Sequence, residues 1–142
     1  MHIDVTGHGP DLVLIHGWAL QGGVFAPLVQ RLADRFTLHV VDLPGHGHSR
    51  DDSTPLRLPH VVNAIAAATP PAVWCGWSLG GLFALHAAAH LPKGRGLAMI
   101  AATPRFSLGG DWQHAVGPAV VEQFGRDLAE DSSGDAARFR AL

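Results

Sequence analysis

The sequence predicts an α/β fold: a mostly parallel sheet with flanking helices. Three observations predict it. Four short runs, Asp11–Ile15, Thr37–Val41, Ala72–Cys75 and Gly96–Ala101, are apolar at nearly every position, as strands covered on both faces are. Stretches with helical spacing alternate with these runs, which is the order of βαβ units. Glycine and proline gather at the joins, where chain reversals need them.

Taken in order, Ile3 to Thr6 reads as a short edge strand closed by the turn Gly7-His8-Gly9-Pro10. The run Asp11-Leu-Val-Leu-Ile15 follows and ends at His16-Gly17. Val24 to Leu32 carries Phe25, Leu28, Val29 and Leu32 on one helical face. Thr37-Leu-His-Val-Val41 is the next buried-type strand. It opens into a Gly/Pro-rich loop, Asp42-Leu-Pro-Gly-His-Gly-His-Ser49. Leu58 to Ala68 is an alanine-rich helix stopped by Pro70-Pro71. Ala72-Val-Trp-Cys75 is a strand, Leu79 to His90 a helix, and Gly96 to Ala101 a strand that stands as an open apolar edge. After Thr103 the texture changes. Pro104 to Gly110 is loop-like, Val116 to Leu128 has Val120, Val121, Phe124 and Leu128 on one helical face, and 135–142 begins another helix. Residues 1–103 therefore read as an α/β core, and 104–142 as the start of a helical layer or lid.

Composition sets the outer bounds. The 142 residues are 47% hydrophobic and 15% charged, which suits a globular domain with a buried core and excludes a disordered chain. A net charge of −2 offers no basic excess for nucleic acid or an anionic membrane surface. One cysteine, Cys75, allows no intrachain disulfide and fits a reducing compartment. No leader-like segment opens the chain and no apolar run reaches a membrane span, so a cytoplasmic location is expected. Ten histidines are scattered along the chain, none in a zinc-type spacing, and they read as surface or boundary residues; neither metal nor cofactor is expected. His86 and His90 are four apart and share a helix face.

The chemistry concentrates at Gly76-Trp77-Ser78-Leu79-Gly80-Gly81. This is G-x-S-x-G between a buried strand and a helix, the context in which the pattern presents a nucleophilic serine on a tight, strained turn. Gly76 and Gly80 are required there because a Cβ would collide with the neighbouring strand and helix. Ser78 is thus the candidate nucleophile, and the helix N-terminus behind it points free N–H groups where negative charge develops.

A tetrahedral intermediate needs two such donors. One is the backbone N–H of Leu79, next after the serine. The other belongs to the loop after an early strand, and His16-Gly17-Trp18 supplies it through the Trp18 N–H. Gly17 lets the chain come close, and His16 reads as a brace for the loop. A role for His16 as base is the lesser reading, since it precedes the serine. Trp18 and Trp77 flank the nucleophile and offer an apolar wall to an acyl chain; plain packing is the competing reading.

A serine also needs a general base and a carboxylate that orients it, and in this fold the order is Ser, Asp or Glu, then His. His86 and His90 lie on the helix leaving the serine, and His114 lies near the lid segment; none follows a later strand. Asp42 precedes the serine and reads as the brace of the loop Asp42-x-x-Gly45-x-Gly47-x-Ser49. The triad is incomplete within this sequence.

Three stretches carry a resemblance: Leu12-Val-Leu-Ile-His-Gly-Trp-Ala-Leu20, Phe36-Thr-Leu-His-Val-Val-Asp-Leu-Pro-Gly-His-Gly-His-Ser49 and Trp74-Cys-Gly-Trp-Ser-Leu-Gly-Gly-Leu82. They resemble the α/β-hydrolase esterases of biotin synthesis, the pimeloyl-[acyl-carrier protein] methyl ester carboxylesterase family. The likeness runs on through Ala101-Ala-Thr-Pro104 and into Arg138-Phe139. It implies the N-terminal half of an α/β-hydrolase sheet plus the start of a helical lid. It also implies hydrolysis of the methyl ester that disguises a pimeloyl chain on acyl carrier protein, through an acyl-enzyme at Ser78. Trp18 and Leu79 then hold the oxyanion, Trp18 and Trp77 line the acyl pocket, and Arg138 matches a lid arginine that meets the acidic carrier, while Gly134 stands at another such position. The family runs to roughly 250 residues, within the span of one α/β domain, so the late Asp and His have no counterpart here. A broad short-acyl carboxylesterase using the same Ser78, and a non-catalytic hydrolase fragment, stand as alternatives.

Overall fold

The computed structural model describes residues 1–92, 94–120, 122, 123 and 126. The chain divides into two compact units, Met1–Ala102 and Thr103–Leu142.

The first unit is a five-stranded sheet with helices on both faces. Its strands are β1 (Ile3–Gly7), β2 (Asp11–Ile15), β3 (Thr37–Val41), β4 (Ala72–Trp77) and β5 (Gly94–Ile100). Its α-helices are α1 (Ala26–Leu32), α2 (Leu58–Ala68) and α3 (Leu79–His90), with 3-10 turns at Gly22–Phe25 and Gly47–Ser49. The order across the sheet is β1-β3-β2-β4-β5. β1 runs antiparallel to β3, and every other pair is parallel. The predicted class, a mostly parallel sheet with flanking helices, is the one observed.

Side-chain alternation assigns each helix to a face. Val13 and Ile15 of β2, Val41 of β3, and Ala72 and Trp74 of β4 pack with Val61, Val62 and Ile65 of α2 and with Phe83, Ala84 and Ala87 of α3. Leu14, Leu38, Val40 and Cys75 point the other way and pack with Phe25, Leu28, Val29 and Leu32. The sheet is therefore a wall between two apolar layers, and its central strands are apolar at successive positions because both faces are covered.

Most predicted elements fall where the spacing puts them, and the departures have local causes. The helix expected over Val24–Leu32 opens as a 3-10 turn and becomes α-helical only at Ala26, with Pro27 in its first turn, where a missing N–H costs nothing. β4 runs two residues past Cys75, because Gly76 and Trp77 still pair with Met99 and Ile100. β5 begins at Gly94, before the apolar run, since backbone pairing with Ala72 draws in Arg95. It is an edge of the sheet among the described residues, and Leu97 and Ile100 on it are 38% and 44% exposed.

The second unit is described only in part. Ser107 bridges Val116, Gly109 bridges Trp112, and Arg105 pairs with Asp111 at 3.2 Å. The helix expected from Val116 starts at residue 118 instead, because Val116 is held in the bridge. Val121, Phe124, Leu128, Gly134, Arg138 and the helix expected over 135–142 lie outside the described residues.

Candidate active site

The strand order reverses direction between β2 and β4, and in open α/β sheets such a reversal leaves a crevice at the carboxyl ends of the strands. Ile15, the last residue of β2, pairs with Gly76 of β4. The segments leaving both strands therefore meet there: His16-Gly17-Trp18 from β2, and Trp77-Ser78-Leu79 from β4.

Ser78 sits between β4 and α3 with φ 52° and ψ −117°. That is a left-handed conformation rare for a residue with a Cβ, and it stores strain of about 1–3 kcal/mol. The turn keeps it because the strand and helix clamp it from both ends. The Ser78 N–H donates to the Ile100 carbonyl at 2.9 Å, and its own carbonyl accepts from the Gly81 N–H at 2.9 Å. The glycines beside it have no room for a side chain. A Cβ on Gly76 would strike the Gly80 carbonyl, and one on Gly80 would strike the Ile15 carbonyl. So α3 crosses the ends of β2 and β4 at a separation only glycine permits.

The loop after β2 lies against this turn. A Cβ on Gly17 would stand 3.3 Å from Ser78 Cβ and 3.3 Å from the Trp77 carbonyl. Neither the Trp18 N–H nor the Leu79 N–H has an acceptor among the described residues. Leu79 is the first residue of α3, where the N–H groups have no partner inside the helix. Two free donors thus flank the serine, one from each segment.

His16 holds the first segment in place. Its ring is fully buried. The Leu43 N–H donates to Nε2 at 3.0 Å, so Nε2 carries a lone pair and the ring proton is on Nδ1. Nδ1 then donates to the Gly17 carbonyl at 2.7 Å. One neutral imidazole ties the donor loop to the start of the loop after β3. Burial holds its pKa below the ordinary histidine value and the nearby His46 lowers it further, against the raising effects of the Gly17 carbonyl and Asp42.

Asp42 organises the loop that Leu43 belongs to. Its carboxylate accepts from the Gly22 N–H at 2.6 Å and the His48 N–H at 2.8 Å. Its carbonyl accepts from the Ser49 hydroxyl at 2.8 Å. Gly47 faces the carboxylate so closely that a Cβ there would overlap it. Burial pushes this carboxyl up, but the two N–H donors and His48 outweigh it and the net shift is downward. The brace expected of Asp42 is present.

The two tryptophans stand in different surroundings. Trp18 is 41% exposed, its ring edge-on to His46 at 5.9 Å. Trp77 is half-buried against the layer built on Leu14, Phe25 and Cys75. His86 and His90 stack at 4.2 Å on α3. At 1.5 Å per residue, His86 is about 12 Å along the helix from the serine, outside reach of its hydroxyl. Among the described residues of the first unit, Ser78 Oγ has no imidazole or carboxylate partner. His114 lies in the second unit, edge-on to Trp112 at 5.6 Å.

Sequence reasoning missed His46, whose ring lies 5.3 Å from that of His16 and bridges it to Trp18. The pair of histidines around Gly47 was the available signal.

The sequence matches the alpha/beta hydrolase family over residues 12–142. It is 84% identical, over its whole length, to the pimeloyl-[acyl-carrier protein] methyl ester esterase of Stenotrophomonas maltophilia, and it covers 55% of that protein. It is 72% identical, again over its whole length, to the enzyme of the same name from Xanthomonas axonopodis pv. citri, of which it covers 56%. The chain spans about half the length of these curated relatives. Among solved structures, an esterase from Exiguobacterium antarcticum superposes with a TM-score of 0.81 over 92% of this chain and 52% of its own, at 21% identity, a likeness of fold.

Proposed function

The chain belongs to the alpha/beta hydrolase family, and from that premise we propose that it carries the nucleophile of a serine carboxylesterase acting on the methyl ester of a pimeloyl chain borne on acyl carrier protein. The substrate follows the names of relatives 84% and 72% identical to it. The observation that carries the chemistry is the setting of Ser78, strained at φ 52° on a strand-to-helix turn with Gly17 packed against it.

In this reading Ser78 Oγ attacks the ester carbonyl and a C–O bond forms. The oxygen of the tetrahedral intermediate takes its charge between the Trp18 and Leu79 N–H groups, aimed in advance and therefore needing no reorganisation. Methanol leaves, and water hydrolyses the acyl-enzyme to the free carboxylate. Both steps need a general base, and the described residues of the first unit offer Ser78 none; the curated relatives have length beyond this chain's span in which to carry one. Trp18 and Trp77 line the acyl chain's path, Arg138 meets the acidic carrier, and residues 104–142 begin the cap. A cytoplasmic enzyme without cofactor fits this role. Among the described residues, no helix is long and apolar enough to cross a membrane.

The test joins this chain to the remaining part of the 84%-identical relative, reads a fluorophosphonate probe by intact mass, and then measures kcat/KM on carrier-bound pimeloyl methyl ester and on free short esters. One adduct that vanishes in Ser78→Ala, with a clear preference for the carrier-bound ester, is the expected result. No adduct removes the nucleophile assignment. Equal rates on both substrates remove the carrier assignment and leave a broad carboxylesterase.

A further inference from the structure

Away from the serine, the fold brings together three metal-ligating side chains that the sequence keeps far apart. His2 begins the chain's first strand region, Asp42 follows β3, and His48 lies in the 3-10 turn after it. One ring nitrogen from each histidine and one Asp42 carboxylate oxygen lie within 4.8 Å of one another. We propose that His2, Asp42 and His48 form a binding site for a divalent transition-metal ion of the zinc class.

The backbone fixes the three residues relative to one another. The Asp42 N–H donates to the His2 carbonyl at 3.1 Å. The His2 N–H donates to Ser49 Oγ at 2.7 Å, and that hydroxyl donates on to the Asp42 carbonyl at 2.8 Å. The His2 and His48 ring centroids lie 4.8 Å apart with the rings tilted at 45°, and His48 Nδ1 stands 3.1 Å from Asp42 Oδ2. A tetrahedral ion with ligands at about 2.0–2.2 Å holds neighbouring donors about 3.4 Å apart. The Asp42–His48 pair already meets that spacing, and the remaining separation closes by ring rotation. Room for it exists, because the His2 and His48 side chains are 38% and 74% exposed.

The donor set selects the ion. Two imidazoles and one carboxylate suit zinc and its neighbours, whereas calcium and magnesium take oxygen ligands. Asp42 accepts two backbone N–H bonds of the four or so that a carboxylate can take, so it keeps lone pairs for a cation. Asp4 Oδ1, 3.1 Å from His2 Nε2, puts a second carboxylate beside the His2 imidazole. Asp42 sits at the buried floor of the site, its side chain 5% exposed, and the exposed histidine side leaves the fourth position to water.

The rival location for a bound ion is the stacked pair His86 and His90 on α3, and the experiment separates the two. The tag-free chain is stripped with a chelator and titrated with Zn²⁺ by calorimetry, alongside His2→Ala, His48→Ala and His86→Ala. One ion per chain, weakened at least about tenfold in each of the first two variants and unchanged in the third, is the expected result. Binding unchanged in His2→Ala and His48→Ala overturns the site, as does loss confined to His86→Ala. Should the variants fold poorly, the unaltered chain answers by NMR. Zn²⁺-dependent shifts at the His2 and His48 rings support the site; shifts confined to His86 and His90, or no shifts, overturn it.

Discussion

Replacing His16 by glutamine and by phenylalanine separates what the imidazole does as a hydrogen-bonding brace from what it does as a titrating group. The buried ring accepts from the Leu43 N–H and donates to the Gly17 carbonyl. Phenylalanine fills the space, leaves the Leu43 N–H without a partner, and leaves the Gly17 carbonyl with only the Leu20 N–H at 3.4 Å. A buried orphan costs about 1–3 kcal/mol, so His16→Phe is expected to lose about 1–3 kcal/mol. Glutamine offers a carbonyl oxygen and an amide N–H, and at pH 7.5 it is expected to recover at least half of that loss. The pH response distinguishes the pair further. The folded-state pKa of His16 lies below its unfolded value, so below about pH 6.5 the unfolded chain binds a proton that the folded chain refuses. Stability is therefore full above that value and falls as the pH drops toward the folded pKa, by up to about 1.4 kcal/mol per pH unit for one proton. Urea denaturation at pH 7.5, 6.5 and 5.5 reads both effects. The wild type should lose stability across that range more steeply than His16→Gln. Parallel pH curves for the two proteins, or a cost below about 1 kcal/mol for His16→Phe, would refute the argument.

Ser78→Gly should raise stability by about 1 kcal/mol in chemical denaturation, because glycine adopts φ 52° without strain. Gly80→Ala should cost at least about 2 kcal/mol, since its Cβ meets the Ile15 backbone and reverses the helix-propensity gain of alanine. Gly96→Ala, whose Cβ lies 3.4 Å from Val73 Cγ2, should stay within about 1 kcal/mol of wild type by the same assay. Asp42→Ala should cost about 2–4 kcal/mol by orphaning the N–H groups of Gly22 and His48. The lowered Asp42 pKa sets the sign of the acid response: its contribution is whole above the unfolded carboxyl value of 3.8 and is lost as the pH falls below it, which an acid titration followed by circular dichroism would show as a later loss in wild type than in the variant.

Much of this fold was legible because its central strands are covered on both faces. Leu12 to Ile15 leaves no polar position to blur the run, Leu38 to Val41 only the buried His39, and Pro70-Pro71 and Gly76 punctuate the elements that follow. The edge was harder: in β5 Arg95 interrupts the apolar pattern, and only pairing with β4 shows that the strand begins at Gly94. The elbow was readable from local spacing, because a strand, a serine and a helix within a few residues determine the turn. Contacts between distant segments were not. Nothing in the order of residues states that His16 meets Leu43, that Gly17 lies on Ser78, or that His2 reaches His48. The first two meetings depend on the register of β2 between β3 and β4 and the last on that of β1 against β3, which periodicity does not encode.

That register also bears on the order in which the molecule acquires its parts. The His16 brace joins segments only 27 residues apart, and it needs β2 and β3 alone. The pairing of Gly17 with Ser78 waits for β4 to insert on the other side of β2, after the chain has closed a much longer loop through α2. Closing longer loops is entropically dearer and slows the steps that depend on it. On this ordering the segment braced by His16 is set before Ser78 meets it, and the serine's strained turn is imposed only when the central strand has gained its second neighbour.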